Sequence, residues 1–185
     1  MLDRRLIGFA VVGGFFYAGV YAYIAGTPFA FIDHYGVAPQ LYGVLFALGI
    51  VGIMLANVVN ARLVTRLGSR RLLQLGAACV AACSVVLLVT GSTGWGGLAG
   101  LAIPLFLFVS WSGLIVANSI GGALQDFPDR AGAVSALVGA LHYGCGILGS
   151  AAVSAFADGT PVPLATVVGV VGLGCFASLR LLPRA

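Results

Sequence analysis

Of the 185 residues, 61% are hydrophobic and 8% charged, and the mean hydropathy is +1.11. A water-soluble domain uses about 25% charged residues to wet its surface, so this composition excludes one and points to lipid as the solvent. The formal net charge of +4 comes from nine arginines with no lysine; set in short loops between apolar runs, they mark membrane topology rather than a nucleic-acid surface.

Six apolar runs follow in chain order, at 6–26, 41–61, 72–90, 98–124, 133–156 and 163–178. Each is long enough to cross about 30 Å of hydrocarbon as a helix, and lipid admits no open-edged strand. The fold class expected is therefore an all-α integral membrane protein, a single six-helix bundle over 1–185. The first run is too long for the core of a cleavable signal peptide, and no small-residue cleavage site follows it.

Numbering the runs as spans 1 to 6, the connections alternate between two sides. One side holds Arg4 and Arg5, the 2–3 loop with Arg62, Arg66, Arg70 and Arg71, the 4–5 loop with Arg130, and the C-terminal Arg180 and Arg184. The other side holds no Arg or Lys, only Asp33, His34 and Asp158. The positive-inside rule makes the arginine side cytoplasmic, with both termini there. Losing or adding one span would scramble this segregation, so span count and orientation support each other.

Small residues recur every four positions in span 1 (Ala10, Gly14, Ala18, Ala22, Gly26), in span 5 (Ala136, Ala140, Gly144, and again Gly146, Ser150, Ser154) and in span 4 (Gly113, Ala117, Gly121). Such stripes let helix backbones approach in lipid. They suit static packing as well as the sliding faces of a transporter.

No Asp, Glu, Lys or Arg falls within a span core, so the polar candidates at membrane depth are few: Asn57, Asn60, Gln74, Trp111, Asn118, His142 and Tyr143. Intramembrane polar residues are costly and informative. Trp111 and Asn118 share a face of span 4. Tyr17 and Tyr21 lie one turn apart in span 1. His142 lies on a span 5 face with Ser135, Gly139, Gly146 and Gly149, which suits a cavity wall. Three roles stay open for it: lining a cavity, relaying a proton, or bonding a neighbouring helix. Tyr17, Tyr21, Trp111, Asn118 and His142 are the substrate-cavity candidates. Pro28 is expected to break or kink the first helix at its outer end. Asp33 and His34 beyond it read as a solvated loop pair. The four cysteines lie in apolar runs, and no His or second Cys pair completes a metal site with Cys79 and Cys83. No metal, other cofactor or catalytic residue is expected, because separated histidines without clustered acids do not make an enzyme site.

The 2–3 loop reads Asn60-Ala-Arg-Leu-Val-Thr-Arg-Leu-Gly-Ser-Arg-Arg71. It resembles the loop motif of the major facilitator superfamily, with Leu63, Arg66, Gly68 and Arg70 matching and Arg71 extending the basic end. Ala61, Thr65 and Ser69 depart from the pattern. The resemblance implies a tight turn at Gly68 and arginines anchored against the 4–5 loop, which carries Asp126, Asp129 and Arg130. Asp3-Arg-Arg, Gly13-Gly14, Ala25-Gly-Thr-Pro-Phe-Ala-Phe-Ile-Asp33 and Tyr35-Gly-Val-Ala-Pro-Gln40 resemble the seventh helix and outer loop of bicyclomycin/chloramphenicol-resistance (Bcr/CflA) drug–proton antiporters. Phe127-Pro-Asp-Arg-Ala-Gly132 and the following Ser-Ala-Leu run resemble their tenth-to-eleventh helix loop.

By that resemblance the spans correspond to the C-terminal six helices of a twelve-helix transporter, built as two inverted three-helix units. It implies proton-coupled multidrug efflux by alternating access in a bacterial inner membrane, and a neutral amide at the position of His142. The partners implied are the bilayer, a lipophilic drug-like substrate, protons, and a partner half or a second copy; no nucleic acid is expected. The family's coupling carboxylates lie mainly in the first half, so this chain is expected to be incompetent alone, and six further helices upstream of Met1 would explain it. The alternatives are an accessory or assembly subunit, or a channel-like protein; the paired Asn-Pro-Ala half-helices of water channels are absent.

Overall fold

Five helices among the described residues are long and apolar enough to cross a membrane. The computed structural model describes residues 4–125 and 127–182; Asp3, Asp126 and Arg184 of the sequence motifs lie outside them. The helices are α1 (Arg4–Pro28), α2 (Pro39–Thr93), α3 (Gly97–Ser110) with α4 (Ser112–Leu124), α5 (Ala131–Ala155) and α6 (Val162–Ala177).

At 55 residues, α2 would be about 80 Å long if straight, far more than one crossing needs. It is not straight. Gly68 has φ 75° and ψ 156°, outside the helical region, a conformation that glycine reaches without a Cβ penalty. Helix-to-helix contacts give the direction on each side. Before Gly68, residues Gly49, Gly52, Asn57 and Asn60 meet Val109, Ser110, Gly113 and Asn118 in rising order, so that arm runs parallel to α3–α4. After Gly68, Gly76 meets Ile115 while Thr90 meets Gly100, so the second arm runs antiparallel to the same rod. The chain therefore reverses at Gly68, and the bundle consists of six helical rods: α1, the two arms of α2, α3–α4, α5 and α6.

The rods form two inverted triplets. α1 packs parallel to α5, with Gly13 on His142, Ala18 on Gly149 and Gly26 on Val153. The equivalent pair in the other triplet order, α3–α4 against the first arm of α2, is parallel too. α1 packs antiparallel to α6 (Gly8 on Leu182, Gly26 on Leu164), just as α3–α4 packs antiparallel to the second arm. α1 against α4 and the second arm against α6 are their own equivalents under this exchange. An odd number of rods per unit forces the inversion.

The α-helix breaks at Pro28, as expected of proline; the chain continues as a π-turn over Phe29–His34, in which the Tyr35 N–H donates to the Ala30 carbonyl at 3.2 Å. The fourth run is not one helix. Pro104 lies inside α3, the Ser110 hydroxyl donates back to the Phe106 carbonyl at 2.7 Å, and the rod is interrupted at Trp111. Both are recognised causes of helix bending.

The small-residue stripe of α1 faces α5 and α6 as expected of a packing face. In α5 the contact stripe holds Gly146 and Gly149; an added Cβ at Gly144 would meet nothing within 4 Å, and Ala136 and Ala140 are exposed. In α4, Gly113 packs on α2, whereas Ala117 and Gly121 are exposed. Helix rotation decides between stripes, and spacing alone leaves it open.

Candidate functional site at the junction of α1, α4 and α5

Three rods converge on Gly13. A Cβ built there would overlap Nε2 of His142 from α5 and stand 2.8 Å from Oγ of Ser119 on α4. Glycine is thus the residue that lets an imidazole enter the α1 backbone groove. His142 is 1% exposed, and its ring stacks on Tyr17 with centroids 4.7 Å apart. Nε2 has no partner, the one enclosed side-chain nitrogen or oxygen without one among the described residues. A buried polar atom left unpaired costs about 1–3 kcal/mol, so this is a strained feature of an otherwise satisfied interior.

Around it the aromatic residues of α1 and α5 form a cluster. Tyr143 stands edge-on to Tyr17 at 5.5 Å and to Tyr21 at 6.2 Å, and Tyr17 and Tyr21 are 6.3 Å apart. Tyr143 is 56% exposed, so the cluster opens outward from the buried His142. Tyrosine faces attract organic cations and pack against apolar rings.

The other candidates lie elsewhere. Asn118 is buried and its amide donates to Oδ1 of Asn60 and, at 2.7 Å, to the Leu114 carbonyl. It ties α4 to the first arm of α2. Trp111 is half-buried at the α3–α4 break and packs against the core. Tyr17, Tyr21 and His142 are therefore brought together, while Asn118 belongs to the seam of α4 with α2 and Trp111 to the α3–α4 break. An apolar cleft of about 370 Å³ lies beside the junction, between α1, α5 and α6, lined by Gly14, Ala18, Cys145, Gly149, Val167 and Val171 among others. It presents no convergent polar groups.

The charged ends are segregated. The Gly68 turn lies beside the end of α4, with Gly68 and Arg70 bordering a hollow shared with Gly121, Leu124 and Gln125. Leu63 is half-buried, while Arg66 and Arg71 reach solvent. Arg5 donates to Gln125 Oε1 at 3.0 Å, and Gly8 abuts Leu182. Asp129 and Arg130 form a short turn, Pro128–Arg130, at the start of α5. At the opposite end, the Thr27 hydroxyl meets Tyr42 at 3.0 Å and His34 Nδ1 lies 3.2 Å from the Gly159 carbonyl. Asp158 accepts from the Thr160 hydroxyl at 2.7 Å and its N–H at 2.9 Å, bonds that hold its carboxyl below the usual carboxylate range.

Gly13 and Ser119 were not singled out as site residues. Gly13, Tyr17 and Tyr21 follow one another at four-residue spacing, a face that the sequence displays. Ser119 has no such signal; its position depends on how α4 is rotated against α1.

No family model matches the chain, and no solved structure matches it significantly. Among curated proteins, the chain is 30% identical over 171 residues to YdgK of Bacillus subtilis (strain 168), an MFS-type transporter, covering 92% of this chain and 42% of that protein. It is 25% identical over 167 residues to a bicyclomycin resistance protein homolog of Haemophilus influenzae, covering 90% of this chain and 42% of that protein. The chain thus spans about two fifths of the length of the curated relatives it matches. About nine tenths of the chain is similar to each of these two relatives, one of them an MFS-type transporter.

Proposed function

We propose that this chain is the C-terminal six-helix half of a proton-coupled multidrug exporter of the Bcr/CflA type, working by alternating access and requiring a second half. The observation that carries the reading is the coverage: nearly all of this chain aligns to about two fifths of two transporters. The reversal at Gly68 supports six crossings, and the arginine-bearing end supports an orientation with both termini in the cytoplasm of a bacterial inner membrane. Tyr17, Tyr21 and Tyr143 offer aromatic faces to a lipophilic or cationic compound at the wall of a cavity that a partner half, or a second copy of the chain, would complete. α5 is the least enclosed of the membrane-length helices, and its exposed Tyr143, Ile147 and Leu148 suit such a partner.

The test is transport in proteoliposomes under an imposed pH gradient, with ethidium as the lipophilic cation. The chain alone is expected to give no gradient-driven accumulation. Co-reconstitution with six helices corresponding to the unmatched part of the YdgK relative is expected to restore it. Accumulation by the chain alone would show that six spans suffice, and no accumulation by the reconstituted pair would overturn the export reading.

A further inference from the structure

Among the described residues, every buried polar side chain other than His142 finds a partner close at hand. Ser84 and Thr27 donate to the carbonyls four residues back, and Ser119, Thr90 and Ser178 to those three back, the usual return of a hydroxyl to its own helix. Asn118 donates to Asn60 across helices. A mid-helix histidine cannot reach its own backbone this way and must look to a neighbour. A neutral imidazole carries one N–H and one lone pair. Nε2 makes no hydrogen bond, and an orphaned buried N–H is rarer than an unfilled acceptor, so the N–H belongs on Nδ1 and Nε2 is left as a bare lone pair. That lone pair is held at the Gly13 notch facing Ser119, whose hydroxyl hydrogen is committed to the Val116 carbonyl at 3.0 Å and whose oxygen keeps acceptor capacity.

We infer that Nε2 of His142 is a proton-binding site built into this chain at the junction of α1, α4 and α5, with Ser119 Oγ as acceptor for the new N–H and the Tyr17 face as cation partner. A hydronium ion gives its proton to the lone pair: one O–H bond breaks, an N–H bond forms, a water molecule is left, and the ring becomes a cation. An imidazolium without water is costly in lipid. Its loading is therefore linked to loosening of the α1–α5 seam, which brings Ser119 and solvent within reach and relieves the wedge at Gly13. The groups facing the ring are few. α1 presents Tyr17, α4 presents Ser119 and no charge, and α6 contains no Asp, Glu, Lys or Arg. On α5 the neighbours are Tyr143 and Cys145, and the charges at Asp129 and Arg130 lie more than three turns away. No carboxylate among them competes for the proton.

The inference rests on the export reading for its use, but its test needs neither drug nor partner. The chain has two histidines, so His34→Gln leaves one imidazole. With ¹⁵N-labelled histidine in lipid nanodiscs, the ring nitrogens report tautomer and protonation directly. The expected result is a neutral ring protonated at Nδ1 that gains a second proton in one step between about pH 8 and about pH 4. A spin-label pair at Ile24 and Leu148, exposed on α1 and α5, should separate over the same step, and His142→Asn should abolish that pH-dependent separation. Ser119→Ala should bind the proton about tenfold more weakly, and Ser119→Thr, which keeps the oxygen, should restore it. A ring that stays neutral over this range while the chain remains helical would overturn the inference, as would a neutral ring protonated at Nε2. A failure of ethidium transport would leave these readouts unchanged, so the two readings fail separately.

Discussion

The seam between α1 and α5 and the seam between α4 and the first arm of α2 are the same parallel joint, one in each triplet order, yet their interiors differ. In the α2–α4 seam one amide donates to the other and to a carbonyl, and no enclosed side-chain atom there is left unpaired among the described residues. In the α1–α5 seam an imidazole is driven into a glycine notch and keeps one nitrogen without a partner. Polar groups at helix interfaces in lipid act as ties when satisfied and as liabilities when not. The comparison teaches that the fold does not require the polar chemistry of either seam. One seam uses it to fix a register. The other carries an unspent lone pair at the place where three rods meet.

The largest expected effect comes from filling the α1–α5 joint. A Cβ at Gly149 would run into the backbone carbonyl of Ala18, which cannot turn aside as a flexible side chain would. Gly149→Ala should lower stability by about 1–3 kcal/mol, read as a fall in thermal unfolding midpoint in detergent. Gly144, one face away on the same helix, has open space around it. Gly144→Ala should leave the midpoint unchanged or raise it, alanine being favoured by up to about 1 kcal/mol in a helix. Equal losses at the two positions would mean that α5 does not seat on α1 as described.

A second pair of variants distinguishes the polar interiors. Asn118→Leu strands the Asn60 carbonyl oxygen and should destabilise by about 0.6–1.7 kcal/mol, the range for interhelical hydrogen bonds in lipid. Replacing both, Asn60→Leu with Asn118→Leu, should recover part of that loss, because no orphan remains. His142→Leu removes an unpaired nitrogen together with a ring stack, and should change stability by less than about 1 kcal/mol. If His142→Leu proved as costly as Asn118→Leu, the Nε2 lone pair would have a partner after all and the contrast between the seams would collapse.

Much of this was readable from residues. The apolar runs and the loop arginines define the rods and their segregated ends without any tertiary information, because lipid leaves a helix as the one economical state for such runs. The turn at Gly68 was legible through the loop pattern that it shares with a family. The break at Pro28 was legible, since proline ends an α-helix; the π-turn that follows it was not. The polar residues were legible as unusual but not as partners. Asn60 and Asn118 are separated by 58 positions, and only the rotation of α2 against α4 pairs them. His142 could be placed on a small-residue face, but whether that face met a cavity or another helix depended on the rotation of α5. Gly146 and Gly149 turned out to press on Tyr21 and Ala18, which places His142 in a packed seam, while Ser135 on the same face is exposed and Gly139 has no neighbour within 4 Å.

The smallest effect expected lies where the α1–α5 joint meets the outer surface. The loop after α5 is pinned by Asp158, which accepts two bonds from Thr160, and by His34, whose ring reaches the Gly159 carbonyl from the end of α1. Those bonds to Thr160 stabilise the charged carboxylate and depress its folded value. The sign follows: the contribution is present above the unfolded carboxyl value of about 3.9 and is lost as pH falls through the lower folded value. Because Asp158 is fully exposed, the consequence is local opening of the loop rather than global unfolding. Asp158→Asn should speed amide hydrogen exchange at Thr160 by a few-fold at about pH 7, and the ratio of variant to wild-type rate should fall to one as the wild-type carboxylate takes up its proton. A ratio independent of pH would mean that the loop is held by the His34 contact and by the backbone, with the carboxylate contributing nothing to the closure of the seam's outer end.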